Sequence, residues 1–303
     1  MKKTYQRNFK KKVLVTGSSG FIGKHLKTKL EKQGVHVDIF DRLNGQDINN
    51  TSQLKKVVKN NYDVVYHLAG FSGSKESNEN RFKSFQINTL ATVNLMELIV
   101  NYSPDTKIII SSSRLEYGKP LNIPIDEKHK TKPTSAYGLS KLAATQMAQI
   151  FGNTRNLKYI VFRTSNVYGP HEEKKFSGYN LVNYFIDQAK RGNNLIIFGK
   201  GDQLRDYIYI DDLTQAFVMA AESEVQQQIY NLGSGKGISL KHMAQTIINS
   251  IGKGKIKYIN WPKKYKEVET GSYITNLKKI NKELGFSPKV RFADGIKMTI
   301  TAS

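Results

Sequence analysis

The sequence predicts an α/β protein built on a doubly wound parallel sheet, with a smaller lobe interleaved in its C-terminal half. Short β-branched runs alternate with segments whose apolar residues recur at helical spacing, from Val13 to about residue 163. A glycine-rich loop follows the first run and opens the first predicted helix. Such alternation indicates parallel strands joined by right-handed crossovers, and 303 residues suffice for one such unit with a second lobe.

The first half of the chain contains the regular part of this pattern. Residues Val13–Thr16 form the first predicted strand and Phe21–Lys32 the first helix, in which apolar side chains share one face. Further strands are predicted at 35–40, 64–68, 108–111 and 159–163, and further helices at 53–59, 85–102 and 135–151. Pro133 lies just ahead of the last helix, where it does not interrupt helical hydrogen bonds.

The second half of the chain has a less regular pattern. From Gly169 onward, prolines, glycines and mixed short elements replace the strict alternation. Helices are predicted at 181–191 and 212–222, and strands at 195–198 and 229–232. We therefore predict a nucleotide-binding domain made of residues 1–166 with 204–235 returning to it, and a substrate-binding lobe made of residues 167–203 and 236–303.

Composition excludes several functional classes. The absence of cysteine excludes disulfides, thiolate catalysis and cysteine-ligated metals, and it fits a reducing compartment; no metal site is predicted. No segment has the apolar length of a signal peptide or a membrane span, so we expect a cytoplasmic protein without a membrane partner. The net charge of +22 is spread along the chain, which favours a basic surface suited to an anionic small substrate over nucleic-acid binding.

The glycine loop has the features of a phosphate-binding turn in a Rossmann-type domain. Gly17 permits a tight turn, Gly20 lets the backbone approach a pyrophosphate, and Gly23 allows the helix to pack closely. Phe21 and Ile22 lie in the first helical turn, where free N–H groups and the positive end of the helix dipole favour an anion. The loop therefore predicts a bound dinucleotide.

Asp41 ends the second predicted strand and bears on the choice of cofactor. A carboxylate there can accept hydrogen bonds from the adenosine ribose hydroxyls and repel a 2′-phosphate, which favours NAD over NADP. Arg42 follows directly and could soften that preference. The alternative for Asp41 is an ordinary turn carboxylate.

Tyr137, Lys141 and Ser113 are the candidate catalytic residues. Tyr137 and Lys141 are four residues apart and so share one face of the predicted helix. A phenol with a pKa of about 10 is a poor base at pH 7, so a neighbouring positive charge, from Lys141 and an oxidised nicotinamide, is needed to stabilise the tyrosinate. Ser113 would hydrogen bond the reacting hydroxyl or carbonyl. Tyr-x-x-x-Lys alone is common on half-exposed helices, but with the loop and Ser113 it predicts a redox enzyme.

Together these motifs resemble the extended short-chain dehydrogenase/reductases of the nucleotide-sugar epimerase/dehydratase family. The two-residue gap between Gly17 and Gly20 is the spacing of that type. The resemblance runs from about Val13 to Pro288. It is supported, in order, by the runs at 67–70, 88–89, 111–118, 163–170, 205–212, 230–233 and 284–288.

The resemblance implies further ligand-binding positions and a homodimer. Against NAD it places Asp47, Ile48, Leu68, Ala69, Gly70 and Asn88; against the nucleotide diphosphate it places Asn166, Asn180, Leu181 and Arg205. Structural alternatives remain open, namely a helix cap for Asp47 or Asn180, a turn for Asn166, and an ion pair of Arg205 with Asp206 or Asp211. In the implied dimer, helices 85–102 and 135–151 pair with their copies in a four-helix bundle.

The resemblance also bears on the reaction. Dehydratase and decarboxylase members carry an acid where this chain has Leu115, which disfavours elimination of water, although Glu116 is adjacent. We expect C4 epimerisation of a nucleotide-diphosphate sugar, most simply a UDP-hexose: Tyr137 takes the C4 hydroxyl proton, hydride passes to NAD, and it returns to the opposite face of the keto sugar. The alternatives are an NAD(P)H-dependent reductase of a nucleotide-linked 4-keto-6-deoxy sugar and a non-catalytic NAD-binding module with an RNA-binding surface.

Overall fold

A six-stranded parallel sheet lies at the centre of the protein. The computed structural model describes residues 11–171 and 180–302. The strands of this sheet are β1 (Val13–Thr16), β2 (Val37–Phe40), β3 (Val64–His67), β4 (Lys107–Ser113), β5 (Lys158–Thr164) and β9 (Gln228–Leu232). Their order is β2-β1-β3-β4-β5-β9, so the winding reverses at β1. The carboxyl ends of β1 and β3 therefore form the switch point at which such sheets bind ligands.

Helices cover both faces of the sheet, which confirms the doubly wound α/β prediction. On one face lie α1 (Phe21–Lys32) and α8 (Ile210–Glu222), and on the other lie α2 (Thr51–Val58), α5 (Ala91–Tyr102) and α6 (Ala136–Arg155). Alternate residues of β1 reach the two faces: Val13 and Val15 pack with α1 and α8, and Leu14 packs with the other helices. All three are fully buried.

The remaining elements form a smaller lobe. A three-stranded sheet contains β6 (Asn166–Tyr168), β8 (Leu204–Tyr209) and β10 (Gly237–Ser239), and a two-stranded sheet contains β7 (Asn194–Phe198) and β11 (Lys255–Ile259). The helices here are α7 (Leu181–Lys190), α9 (Leu240–Ile251), α10 (Lys263–Lys266), α11 (Lys278–Leu284) and α12 (Phe292–Thr301). Of the segment predicted to return to the NAD-binding domain, α8 and β9 join the large sheet, whereas β8 pairs with β6 and β10. The division into two domains stays a prediction.

Two helices that position the site differ from the sequence prediction. The helix predicted at 85–102 is divided into α4 (Arg81–Phe85), a π-helical turn (Gln86–Leu90) and α5, and it is preceded by α3 (Ser74–Glu79). Apolar spacing is nearly the same on both sides of a π turn, so it predicts a continuous helix. Helix α6 starts as predicted, because Ser135 accepts a hydrogen bond from Gly138 N at 3.1 Å, but it ends at Arg155 rather than at residue 151.

The described stretches contain no helix with the length and apolar character needed to cross a membrane.

Asp206 joins the smaller lobe to the loops that follow the large sheet. Its side chain is fully buried in β8. One carboxylate oxygen accepts from Ser234 N at 2.6 Å and from Ser234 Oγ at 2.8 Å, and the other accepts from Gly235 N and Thr275 N, both at 3.0 Å. This carboxylate therefore accepts hydrogen bonds from three backbone N–H groups that belong to two distant segments.

We expect Asp206→Ala to lower the free energy of unfolding by about 3 kcal/mol or more, because each buried N–H left without a partner costs roughly 1–3 kcal/mol. Denaturant unfolding measures the effect. The control is Asp202→Ala, which removes an exposed carboxylate paired with Lys241 at 2.6 Å and should change stability by less than about 1 kcal/mol. Equal effects of the two substitutions would contradict the role given to Asp206.

Candidate active site

The loops after β1 and β3 meet at the switch point. Gly17 has φ +73°, and its N–H donates to Phe40 O at 3.0 Å. A Cβ atom at Gly17 would lie 2.5 Å from Ala69 N, so only glycine allows this approach of the two loops. Leu68 and Ala69, in the loop after β3, consequently lie directly beside the glycine loop.

The N-terminus of α1 faces this junction. Gly20 N donates to Gly17 O at 3.1 Å, and α1 begins at Phe21. The first-turn N–H groups of Phe21, Ile22 and Gly23 have no carbonyl partner within the helix and carry the positive end of its dipole. This geometry fits the diphosphate of a dinucleotide.

Asp41 lies at the end of β2 and is bound to the glycine loop. Its carboxylate accepts from Ser19 Oγ at 2.6 Å, Ser19 N at 2.9 Å and Leu43 N at 3.0 Å. Burial alone would raise the pKa of Asp41, but the hydrogen bonds from Ser19 and Leu43, with the charge of Arg42, outweigh it and lower that pKa. An ionised carboxylate with one acceptor position still open fits a ribose hydroxyl, so the residues present suit NAD.

Two predicted cofactor positions follow β2. Asp47 is exposed and its carboxylate accepts from Asn49 N at 3.0 Å, while Ile48 is 6% exposed and packs in the core. The alternative in which Asp47 caps the next helix is wrong, because Asn50 caps α2 by accepting from Gln53 N at 3.1 Å.

Asn88 lies in the π-helical turn and is almost fully buried. Its Oδ1 accepts from Phe71 N at 2.8 Å, and its Nδ2 donates to Phe71 O at 2.9 Å and to Ser140 Oγ at 3.0 Å. These bonds occupy both ends of the amide. They favour a role for Asn88 in fixing the loop after β3 against α6 rather than in contacting NAD itself.

Ser113, Tyr137 and Lys141 converge beside these loops. Ser113 ends β4, and its hydroxyl is near enough to the phenol of Tyr137 to lower the pKa of that phenol. Lys141 is 9% exposed and donates from Nζ to Ser111 O at 2.9 Å. A Cβ atom at Gly70 would lie 3.4 Å from Lys141 Nζ, so the ammonium is next to the loop after β3. The fold thus brings the three predicted catalytic side chains to the predicted cofactor site.

The surroundings shift the pKa values of two of these groups. Burial raises the pKa of Tyr137 to about 12; the hydrogen bond with Ser113 opposes this rise and the charge of Glu116 adds to it. Burial lowers the pKa of Lys141 to about 8, against the opposing effect of Glu116. The phenol therefore stays protonated at pH 7 unless positive charge is brought close to it.

Glu116 is not available as a proton donor to a substrate. It is fully buried, and its carboxylate pairs with Arg163 Nε at 2.7 Å. It also accepts from Thr145 Oγ1 at 2.7 Å and from Ser112 Oγ. The sequence left Glu116 open as an acid for water elimination, and these contacts remove that option.

Arg205 is held by an acidic residue distant in the sequence. Its Nη2 pairs with Glu269 Oε1 at 2.5 Å, and its Nη1 donates to Gly271 O at 2.5 Å. The alternative pairing with Asp206 or Asp211 is therefore wrong. Arg205 is 9% exposed, with its guanidinium fixed in the smaller lobe.

The other predicted substrate residues lie at the starts of elements in the smaller lobe. Asn166 opens β6 and donates from Nδ2 to Asp206 O at 3.0 Å. Asn180 caps α7 by accepting from Asn183 N at 3.2 Å, while its Nδ2 is buried without a partner in the described part of the chain. Leu181, the first residue of α7, is 38% exposed. The cap predicted as the structural alternative for Asn180 is present.

Sequence reasoning assigned no role to Arg114. Arg114 is 9% exposed, donates from Nη1 to Thr270 Oγ1 at 3.1 Å, and lies 5.2 Å from the ring centroid of Tyr273. The available signal was an arginine directly after Ser113. Its partner, far along the chain, was not readable from spacing.

In residues 11–171 and 180–302, no group of three or more His, Asp or Glu side chains is arranged to hold a metal ion.

Known proteins match this chain over most of its length. Residues 13–233 match the NAD dependent epimerase/dehydratase family. A putative UDP-glucose 4-epimerase of Methanocaldococcus jannaschii is 32% identical over 303 residues, covering 95% of this chain and 97% of that protein. A dTDP-4-dehydro-6-deoxyglucose reductase of Escherichia coli is 30% identical, covering 95% and 96%.

The fold agrees with these matches. The crystal structure of UDP-glucose 4-epimerase from Thermotoga maritima with UDP-glucose aligns with a TM-score of 0.88 at 27% identity, covering 96% of this chain and 97% of the other. Similarity of this extent shows that the chain belongs to the NAD-dependent epimerase/dehydratase family of enzymes, with NAD as its cofactor.

Proposed function

We propose that the protein interconverts the C4 epimers of a nucleotide-diphosphate hexose, with a UDP-hexose as substrate. The convergence of Ser113, Tyr137 and Lys141 beside the loops after β1 and β3 carries this proposal. Oxidation and re-reduction at one carbon require a proton acceptor, a hydrogen-bond donor and a dinucleotide in one site. The similarity to proteins described as UDP-glucose 4-epimerases supports the same reaction.

Tyr137 acts as the base in this proposal. It takes the proton of the C4 hydroxyl while Ser113 hydrogen bonds the C4 oxygen. Because the pKa of Tyr137 is about 12 in the protein without cofactor, tyrosinate forms only when further positive charge is brought close to the phenol. A bound oxidised nicotinamide would supply that charge, with Lys141 one helical turn away on α6. When bound, NAD supplies the hydride acceptor and donor, and the first turn of α1 with Asp41 would hold it.

The smaller lobe would bind the nucleotide diphosphate. Glu269 fixes the Arg205 guanidinium, whose planar donor face suits a phosphate. Asn180 contributes a buried Nδ2 donor without a partner among the described residues, which fits a polar ligand. Asn166 and Leu181 would complete this side of the site.

Elimination of water is disfavoured on two grounds. The apolar Leu115 stands where an acid is needed, and Glu116 is engaged by Ser112, Thr145 and Arg163. A 4-keto-6-deoxy sugar reductase is the second candidate, because one relative of 30% identity is described as such a reductase and the same three side chains serve both reactions.

One incubation separates these candidates. Purified protein without added cofactor is mixed with UDP-glucose, UDP-N-acetylglucosamine or either C4 epimer, and the products are separated. Interconversion supports an epimerase that retains NAD. NAD(P)H consumption with a 4-keto-6-deoxy nucleotide sugar, and no interconversion, would replace the proposal by the reductase.

Tyr137→Phe should reduce kcat by about 10²–10⁴-fold, because it removes the base and leaves the ring. Retained NAD and the affinity for UDP should stay as in the wild type. The control is Tyr258→Phe at a phenol that is 52% exposed on β11. Unchanged activity of Tyr137→Phe, together with salt-sensitive RNA binding, would instead favour the non-catalytic module.

Lys141→Met should abolish turnover and yet stabilise the cofactor-free protein near pH 7. The folded pKa of about 8 lies below the ordinary 10.5, so between these values the unfolded chain binds a proton that the folded chain lacks, and stability rises with pH. Below pH 8 Lys141 is charged in both the folded and the unfolded chain, so the folded protein bears the full free-energy cost of burying the ammonium. Allowing for the lost bond to Ser111 O, removal should raise the free energy of unfolding by about 1–2 kcal/mol.

Denaturant unfolding at pH 7 and at pH 10.5 tests this expectation, since the gain should disappear at the higher pH. The control is Lys158→Met, which removes an ammonium paired with the exposed Asp105 at 2.8 Å. A loss of stability in Lys141→Met at pH 7 would show that burying Lys141 is not costly.

A homodimer is also proposed. The helices predicted to pair with their copies expose large apolar side chains, namely Leu90 by 60%, Leu139 by 46% and Ile150 by 51%. Phe82, on the preceding helix α4, is 79% exposed. Leu139 and Ile150 are eleven residues apart on α6, so they lie on one face of that helix. Exposed apolar side chains grouped in this way mark association surfaces.

The double variant Leu90→Lys/Ile150→Lys should sediment as a monomer, because two lysines per protomer would place like charges across the interface. Analytical ultracentrifugation compares it with the wild type. Leu121→Lys, at an 80% exposed leucine outside these helices, should leave the oligomeric state unchanged. A monomeric wild type, or a double variant that stays dimeric, would rule out this interface.

A further inference from the structure

Two arginine side chains contact the same short segment of the smaller lobe. Arg205 Nη1 donates to Gly271 O at 2.5 Å, and Arg114 Nη1 donates to Thr270 Oγ1 at 3.1 Å. Thr270 and Gly271 are consecutive, so the two guanidinium groups are neighbours, and each arginine is 9% exposed. One comes from the smaller lobe and the other from the turn directly after Ser113.

This cluster contains two guanidinium groups but only one paired carboxylate. Glu269 pairs with Arg205 at 2.5 Å, whereas Arg114 forms no ion pair within residues 11–171 and 180–302. Burial, helped by the charge of Arg205 and opposed by that of Glu269, lowers the pKa of Arg114 to about 10, so the group remains charged at pH 7. A buried guanidinium without a counter-ion is costly, and an anionic ligand would offset that cost.

Tyr207 provides an independent sign of a missing ligand. This residue of β8 is 5% exposed, and its hydroxyl is buried without a partner in the described part of the chain. Burial raises the pKa of the Tyr207 phenol, and the charges of Arg205 and Arg114 oppose that rise. Tyr207 follows Arg205 by two residues on β8, so the two side chains share one face of the strand, and the Tyr207 hydroxyl is free to donate to a ligand.

We propose that Arg114 and Tyr207 bind a carboxylate carried by the sugar of the substrate, so that the substrate is a nucleotide-linked hexuronic acid. This inference rests on the proposed function. A guanidinium offers five N–H donors, of which Arg114 uses one on the neutral Thr270, and its planar fork matches the two oxygens of a carboxylate. The Tyr207 hydroxyl would supply a further donor.

The position of Arg114 favours the sugar over the diphosphate. Arg114 adjoins Ser113, the residue proposed to contact the C4 oxygen, so its guanidinium starts from the sugar end of the site. Arg205, anchored by Glu269 on the smaller lobe, is the residue proposed for the diphosphate. Two arginines that contact consecutive residues and start from different elements can hold two different anions of one ligand.

Binding of UDP-glucuronate, UDP-glucose and UDP, measured by calorimetry on the NAD-loaded protein, tests the inference. The wild type should bind UDP-glucuronate about tenfold or more tightly than UDP-glucose, as expected for a charge-assisted hydrogen bond. Arg114→Met should abolish that preference while leaving the affinity for UDP within about twofold, and Arg114→Lys should retain part of it. Arg191→Met, at an exposed arginine of the smaller lobe, is the surface control.

Tyr207→Phe provides a second test of the inference, which does not depend on whether the Arg114 variants fold. The hydroxyl it removes has no protein partner to lose, so stability should be maintained. The preference for UDP-glucuronate should fall about three- to tenfold. An unchanged preference in this variant would overturn the role of Tyr207 in the site.

Two other results would overturn the inference. One is a wild type that shows no preference for UDP-glucuronate. The other is an Arg114→Met variant whose affinities for all three ligands fall by the same factor, which would mean that Arg114 binds the diphosphate. Interconversion at C4 is assayed separately. A preference that depends on Arg114, without any C4 epimer formed, would overturn the epimerase proposal and leave this inference standing.

Discussion

The buried ion pair of Glu116 and Arg163 fixes the elements that carry the candidate catalytic residues. Through Glu116 it binds Ser112 on β4 and Thr145 on α6, and Arg163 belongs to β5. Ser113 and Lys141 are thereby held by a neighbour on β4 and by the next turn of α6. A pair of this kind contributes little net stability, because desolvation offsets much of the attraction, but losing one partner leaves an uncompensated buried charge. The main effect of this ion pair is therefore to fix the positions of β4, β5 and α6 relative to one another.

The same carboxylate also acts on the chemistry at a distance. The charge of Glu116 raises the pKa values of both Tyr137 and Lys141, but burial sets the direction of the Lys141 shift. Arg163 neutralises much of that negative charge, so the site keeps a buried ammonium beside a phenol that is hard to ionise. Positive charge brought by a bound cofactor then has a large effect on the phenol.

Local motifs made the sheet, the glycine loop and the three catalytic side chains predictable from sequence, because strands, turns and a four-residue helical spacing depend on near neighbours. Contacts between distant segments were not predictable. Arg205 pairs with Glu269, 64 residues away, and Arg114 contacts Thr270, 156 residues away. The acidic residues nearest Arg205 in the sequence were plausible partners, but Asp206 points to the opposite face of β8 and is used by Ser234 and Thr275.

Charge acts at two scales in this protein. The surplus of +22 is spread over the surface, where salt screens it within about 10 Å, so it can raise the rate of encounter with any anionic ligand but cannot distinguish one from another. The buried charges of Arg114 and Arg205 are screened much less, and Glu269 neutralises only one of them. In the proposed carboxylate site, discrimination between substrates would depend on these few desolvated groups, since a neutral sugar there would offer Arg114 no carboxylate.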